Sequence, residues 1–106
     1  MIVTIVKKGK AKKICQVTRN AGAEGGTTML ARGTSIKDFK KVFGIAIDED
    51  REVVLTVVKK ELEDKVFEAI IDECELNKPG YGITFIMDLK KVDGIVHLLK
   101  EASRNE

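Results

Sequence analysis

The side chains in this chain that could hold a proton, a metal or a phosphate are few and scattered. Cys15 and Cys74 are the only cysteines, far apart and without a metal-type C-x-x-C spacing. Each falls at an apolar-periodic position, so two buried, reduced thiols are expected. His97 is the only histidine and lies in the apolar run Ile95-Val96-His97-Leu98-Leu99, which suits a helix position better than a metal ligand. The acids fall in turns and on helix faces (Asp48-Glu49-Asp50, Glu61, Glu63-Asp64, Asp72-Glu73), and none pairs with the histidine. The chain has no nucleophile with a neighbouring base, no metal set and no G-x-x-x-x-G-K-[ST] loop, so catalysis is not expected. What remains is a glycine-flanked turn, two threonines and one arginine. Gly80-Tyr81-Gly82 could present backbone N–H groups to a phosphate, or be turn chemistry alone. Thr27 and Thr28 could offer hydroxyls to a base or ribose, or be ordinary strand threonines. Arg32 beside Gly33 could contact an anion, or be a solvated strand end.

The composition narrows the class. A chain of 106 residues, 43% hydrophobic and 34% charged, suits one soluble domain with one core. Its apolar runs are too short to span a membrane, and Met1-Ile2-Val3 opens straight into a strand pattern with no basic leader, so a cytoplasmic protein is expected. The net charge of +2 gives no general case for nucleic acid. Lys7, Lys8, Lys10, Lys12 and Lys13 do cluster, but without interleaved aromatics they read as a solvated face.

The elements that must position these groups follow from periodicity. Ile2, Val3, Ile5 and Val6 read as a strand. Ala11, Ile14, Cys15, Thr18 and Ala21 follow at helical spacing, with Gly22 placed to close the helix. Thr27 to Ala31 reads as a second strand, stopped by Gly33. Residues 36–43 have no clear period and read as a loop that orders on binding. Residues 44–47 look extended, and residues 48–51 read as a charged turn. Glu52 to Val58 is nearly continuous in β-branched residues, as expected of a central strand buried on both faces. Leu62, Val66, Phe67, Ile70, Ile71 and Cys74 form one helical stripe. A turn at residues 79–82, a strand over 83–87, a short helix over 92–99 and a frayed tail over 100–106 complete the chain.

The order strand, helix, strand, strand, helix, strand predicts an α+β fold, the ferredoxin-like βαββαβ sandwich with a short C-terminal helix. Its two helices cover one face of the sheet. Val53, Val54, Leu55, Val57 and Val58 are apolar on both parities, so the other face needs cover too, and a second copy of the chain is the expected cover.

The stretch Gly22-Ala23-Glu24-Gly25-Gly26-Thr27-Thr28-Met29-Leu30-Ala31-Arg32-Gly33 resembles the second-strand motif of the PII nitrogen-regulatory family, in which a basic-glycine pair marks the root of a long T-loop. Residues 52–58, and Pro79-Gly80-Tyr81-Gly82-Ile83-Thr84-Phe85 with its B-loop-like turn, continue the resemblance, which covers most of the chain. It implies a single ferredoxin-fold domain over residues 1–106, with a T-loop-like segment at 34–44. It further implies a homotrimer, an adenine-nucleotide effector (ATP, ADP or AMP) in the clefts between subunits, and a regulated partner protein. No covalently bound cofactor, metal, nucleic acid or membrane insertion is implied. Carried onto this sequence, the effector site would draw on Thr27, Thr28, Arg32, Gly33, Gly80, Tyr81, Gly82 and Lys90. The partner-binding loop would present Lys37, Phe39, Lys40, Lys41 and Phe43. Ile83 stands where the family has a B-loop lysine. The family's late arginine pair has no counterpart in Asp88-Leu89-Lys90-Lys91-Val92-Asp93-Gly94-Ile95, and the T-loop-like segment has no tyrosine. The sequence therefore reads as a divergent PII-like regulator. The alternative is a trimeric ferredoxin-like module that binds a metal or another small effector.

Overall fold

A computed structural model describes residues 1–33 and 49–94. The elements run β1 (Ile2–Lys7), α1 (Ala11–Asn20), β2 (Thr27–Gly33), β3 (Glu49–Thr56), α2 (Lys60–Glu73) and β4 (Gly82–Ile86). The strands form one four-stranded sheet in the order β2-β3-β1-β4, and every neighbouring pair is antiparallel. This is the ferredoxin-like sandwich that the element order predicts.

The pleat sorts each strand into two faces. On β1, Ile2, Thr4 and Val6 are buried and point to one side, opposite Thr56, Val54 and Glu52 of β3. Both helices cover that side. Ala11, Ile14 and Val17 of α1 and Val66 and Ile70 of α2 join Ile2, Val6 and Val54 in a single core. Each fully buried isoleucine there contributes roughly 1.5–3 kcal/mol. Thr4 and Thr84 face each other across β1 and β4. Their hydroxyls lie 3.1 Å apart, and the Thr84 hydroxyl donates to the Val3 carbonyl at 3.2 Å. The Thr56 hydroxyl is buried with no hydrogen-bond partner among the described residues.

α1 ends as the sequence directs. Gly22 takes φ 115° just past α1, Ala23 N–H donates to Thr18 C=O at 2.9 Å, and Gly22 N–H donates to Arg19 C=O at 3.1 Å. This double closure satisfies carbonyls that would otherwise lack partners. At the end of α2 the same left-handed position is held by Glu75, φ 56°, with Leu76 N–H donating to Ile71 C=O at 3.1 Å. A non-glycine residue there costs about 1–2 kcal/mol in backbone conformation.

Five boundaries differ from the sequence expectation, β4 among them: it runs Gly82–Ile86 rather than 83–87, because Gly82 pairs with Val6. Residues 49–51 belong to β3 and are not a turn, because Arg51, Asp50 and Glu49 find ladder partners in Ala31, Arg32 and Gly33. For the same reason β2 runs on through Gly33. β3 ends at Thr56, so Val57 and Val58 lead into α2 and are not strand. Residues 92–94 are not helical, and the rest of the expected last helix lies outside the described residues. The central position expected for β3 is as observed, between β2 and β1.

The helix-free face is apolar across its width. One row runs Thr27, Leu55, Val3, Phe85, and the next runs Met29, Val53, Ile5, Ile83. Ile83 is 56% exposed and Met29 44%, although both sit on a sheet face of aliphatic and aromatic side chains.

Candidate functional site

The candidate residues lie on the sheet ends and edges, and the strand register fixes their separation. Leu30, Glu52, Val6 and Gly82 share one cross-strand row, so the Gly80-Tyr81-Gly82 turn and the Arg32-Gly33 pair are at the same end of the sheet. They occupy opposite edges, β4 and β2. Three strand spacings of about 4.8 Å separate those edges by roughly 14 Å. Thr27 is three residues back along β2 from Leu30, roughly 10 Å toward the other end. A single chain therefore does not gather these residues into one pocket.

Each group has a defined setting. Thr27 is exposed, and Thr28 places its hydroxyl 3.9 Å from the Cys15 sulfur. Arg32 is exposed near the end of β2, and a Cβ on Gly33 would meet the Arg51 side chain at 3.2 Å. Lys90 is exposed beyond β4. Lys37, Phe39, Lys40, Lys41, Phe43 and His97 lie outside the described residues. Cys15 and Cys74 are free, as expected, but each is half-buried where full burial was expected, since both sit on the rim of the helix layer.

The two glycines of the turn do different work. Gly80 has φ 83°, and a Cβ there would meet nothing within 4 Å. Gly82 has φ 149°, and a Cβ there would lie 2.7 Å from the Ile5 carbonyl oxygen and 2.9 Å from Val6 Cγ1. Gly82 is thus required for β4 to approach β1, whatever else it does. The turn itself is held by Lys78 N–H donating to Glu75 C=O at 3.0 Å and Tyr81 N–H donating to Lys78 C=O at 3.3 Å. The Lys78 ammonium donates to Glu75 Oε1 at 3.0 Å and lies 5.7 Å from the Tyr81 ring centre. The Glu75 hydrogen bond, then its charge, raises the Lys78 pKa.

Opposite this turn, the β1–α1 connection carries features that sequence reasoning missed. α1 starts without a side-chain cap of its own and with no acid in its first turn. Glu52 of β3 supplies the carboxylate, its Oε1 accepting from Gly9 N–H and, at 3.3 Å, from Ala11 N–H. The negative charge at a helix N-terminus offsets both the open amides and the dipole. No sequence signal pairs residue 52 with residues 9–11, because the strand register alone brings them together. Between this connection and the end of α2 lies a cleft of about 400 Å³, bordered by Lys7, Lys10, Lys13, Glu75, Gly80 and Tyr81. Cys74 also borders it. Burial pushes the Cys74 thiol pKa up, and the Lys13 ammonium pulls partly against that shift.

No three His, Cys, Asp or Glu side chains converge on a common point among the described residues. No helix among them is long and apolar enough to cross a membrane. Comparison with protein families finds a match over residues 1–97 to the family described as nitrogen regulatory protein P-II. No curated protein matches the chain.

Proposed function

This chain belongs to the nitrogen regulatory protein P-II family and is a PII-like signal-transduction protein, and from that premise we propose a homotrimeric sensor that reads an adenine nucleotide and regulates a partner protein. The observation that carries this reading is the split of the candidate site across the two edges of the sheet, beside an apolar face that lacks helices. Joining the β4-edge turn at Gly80-Tyr81-Gly82 to the β2-edge residues Thr27, Thr28, Arg32 and Gly33 takes a second copy of the chain, offering the opposite edge. A contact between unlike edges is heterologous, and a heterologous contact closes into a ring when its rotation closes, and otherwise runs on as a filament. In such a ring the rows led by Met29 and Thr27 become interior, which supplies the cover that Ile83 and Phe85 lack in one subunit.

The effector would bind in the clefts between subunits. Arg32 is the one side chain of this set that can form a forked, charge-assisted pair with a phosphate. Lys90 adds a point charge, and Ile83 leaves the lysine position of the turn apolar. The T-loop-like segment 34–44, with Lys37, Phe39, Lys40, Lys41 and Phe43, would meet an acidic, partly apolar partner surface as its order changes. The cytoplasm is the compartment that supplies such effectors.

A thermal-shift series on the full chain with ATP, ADP, AMP and divalent metals tests this reading. A rise in melting temperature with one of the nucleotides, reduced by Arg32→Gln, is the expected result. A shift with metal alone would favour the effector-module alternative, and no shift with any nucleotide would remove the nucleotide claim.

A further inference from the structure

The cleft at the β1–α1 connection lies beside the Gly80-Tyr81 turn, and its described walls all come from one chain. Its volume of about 400 Å³ falls within the usual range of ligand pockets, roughly 300–1,000 Å³. Lys7, Lys10 and Lys13 border it. Among the described residues, none of the three forms an ion pair, whereas the neighbouring Lys8 lies 4.0 Å from Asp50. The one carboxylate on the border, Glu75, is held by Lys78 at 3.0 Å. The other nearby carboxylate, Glu52, is occupied by the Gly9 and Ala11 amides. Three exposed lysines of like charge border one cleft, and a compact anion of high charge is the ligand class that balances them. Lysines act as point charges and do not form a planar fork, so they select charge density rather than carboxylate geometry. Tyr81 gives the cleft an aromatic wall beside the charged one.

We propose that this cleft binds the pyrophosphate or polyphosphate group of a small ligand. The chemistry is shared by inorganic pyrophosphate and by the phosphate chain of a nucleotide. The site goes beyond the inter-subunit reading, because it needs neither a second copy nor Arg32.

Titration calorimetry of the full chain with inorganic pyrophosphate, without divalent metal and at fixed salt, tests the proposal. Saturable binding is expected, weakened about tenfold by Lys10→Gln and by Lys13→Gln, the scale of one lost charge-assisted contact. Lys12→Gln removes a lysine that does not border the cleft and is the control, expected to bind as the parent chain does. Unliganded melting temperatures that match the parent confirm that the variants are folded. Competition between ATP and pyrophosphate would assign the site to a nucleotide's phosphate chain. Simultaneous binding would assign it to free polyphosphate. Absence of pyrophosphate binding, or an equal loss in Lys12→Gln, overturns the proposal even where ATP binds through Arg32.

Discussion

Replacing Gly82 by alanine separates the structural demand on the glycine turn from any binding role. The new Cβ would sit 2.7 Å from the Ile5 carbonyl oxygen, a backbone atom that cannot swing aside, and 2.9 Å from Val6 Cγ1. Relieving that overlap means moving β4 off β1, at roughly 1–3 kcal/mol for overpacking. Holding alanine at φ 149° adds about 1–3 kcal/mol. Together they cost roughly 2–6 kcal/mol. At about 4–8 °C per kcal/mol for a domain near 100 residues, the melting temperature falls by at least about 8 °C. Gly80→Ala is the internal control. Its φ of 83° carries a backbone cost of about 1–2 kcal/mol, but its Cβ meets nothing within 4 Å. Urea and thermal unfolding at one protein concentration measure both, since association would otherwise shift the midpoints. Equal losses in the two variants, or a Gly82→Ala loss under about 0.5 kcal/mol, would refute the close-approach argument. A Gly82 variant that fails to bind a nucleotide therefore reports on folding first, which makes Arg32 the better probe of the effector site.

Three further outcomes follow from the same geometry. Glu52→Ala should lose about 1–2 kcal/mol in urea unfolding, with Glu52→Gln losing less because its amide oxygen still accepts, and an unchanged Ala variant would contradict the capping role. Thr56→Val should gain about 1 kcal/mol, since it removes a buried hydroxyl with no described partner, whereas a loss would reveal a hydrogen bond to that oxygen. The raised pKa of Cys74 should make its alkylation at mildly alkaline pH slower than that of an unfolded thiol, and Lys13→Gln should slow it further. The sign for stability follows: the raised folded pKa favours the fold below the ordinary thiol value, and that contribution is lost as pH rises through the folded value.

The sheet was legible because apolar runs rich in β-branched residues mark strands, and Val53, Val54 and Leu55 place β3 at the centre of the sheet as expected. Gly22 announced the end of α1 correctly, since only the left-handed position explains a glycine after that stripe. The end of α2 was hidden, because Glu75 adopts the same backbone and carries no such mark. The strand at residues 49–51 was misread for a related reason: acids there suggest a turn, while pairing with β2 overrides local propensity. The candidate site was legible only as residue types. Register decides that Arg32 and Gly80 lie on opposite edges, and register also carries Glu52 to the start of α1. Neither relation has a local sequence signal.

The most direct test of the central claim is the mass of the full chain in solution, by light scattering after size exclusion, beside a variant with Ile83→Glu on the helix-free face. The parent should scatter as a trimer of about 35 kDa from chains of 11.7 kDa, and the variant should fall toward the single-chain mass while keeping its helical signal. A parent that runs at the mass of one chain would contradict the account, because the apolar face would then stand uncovered and the two halves of the candidate site would stay on separate edges.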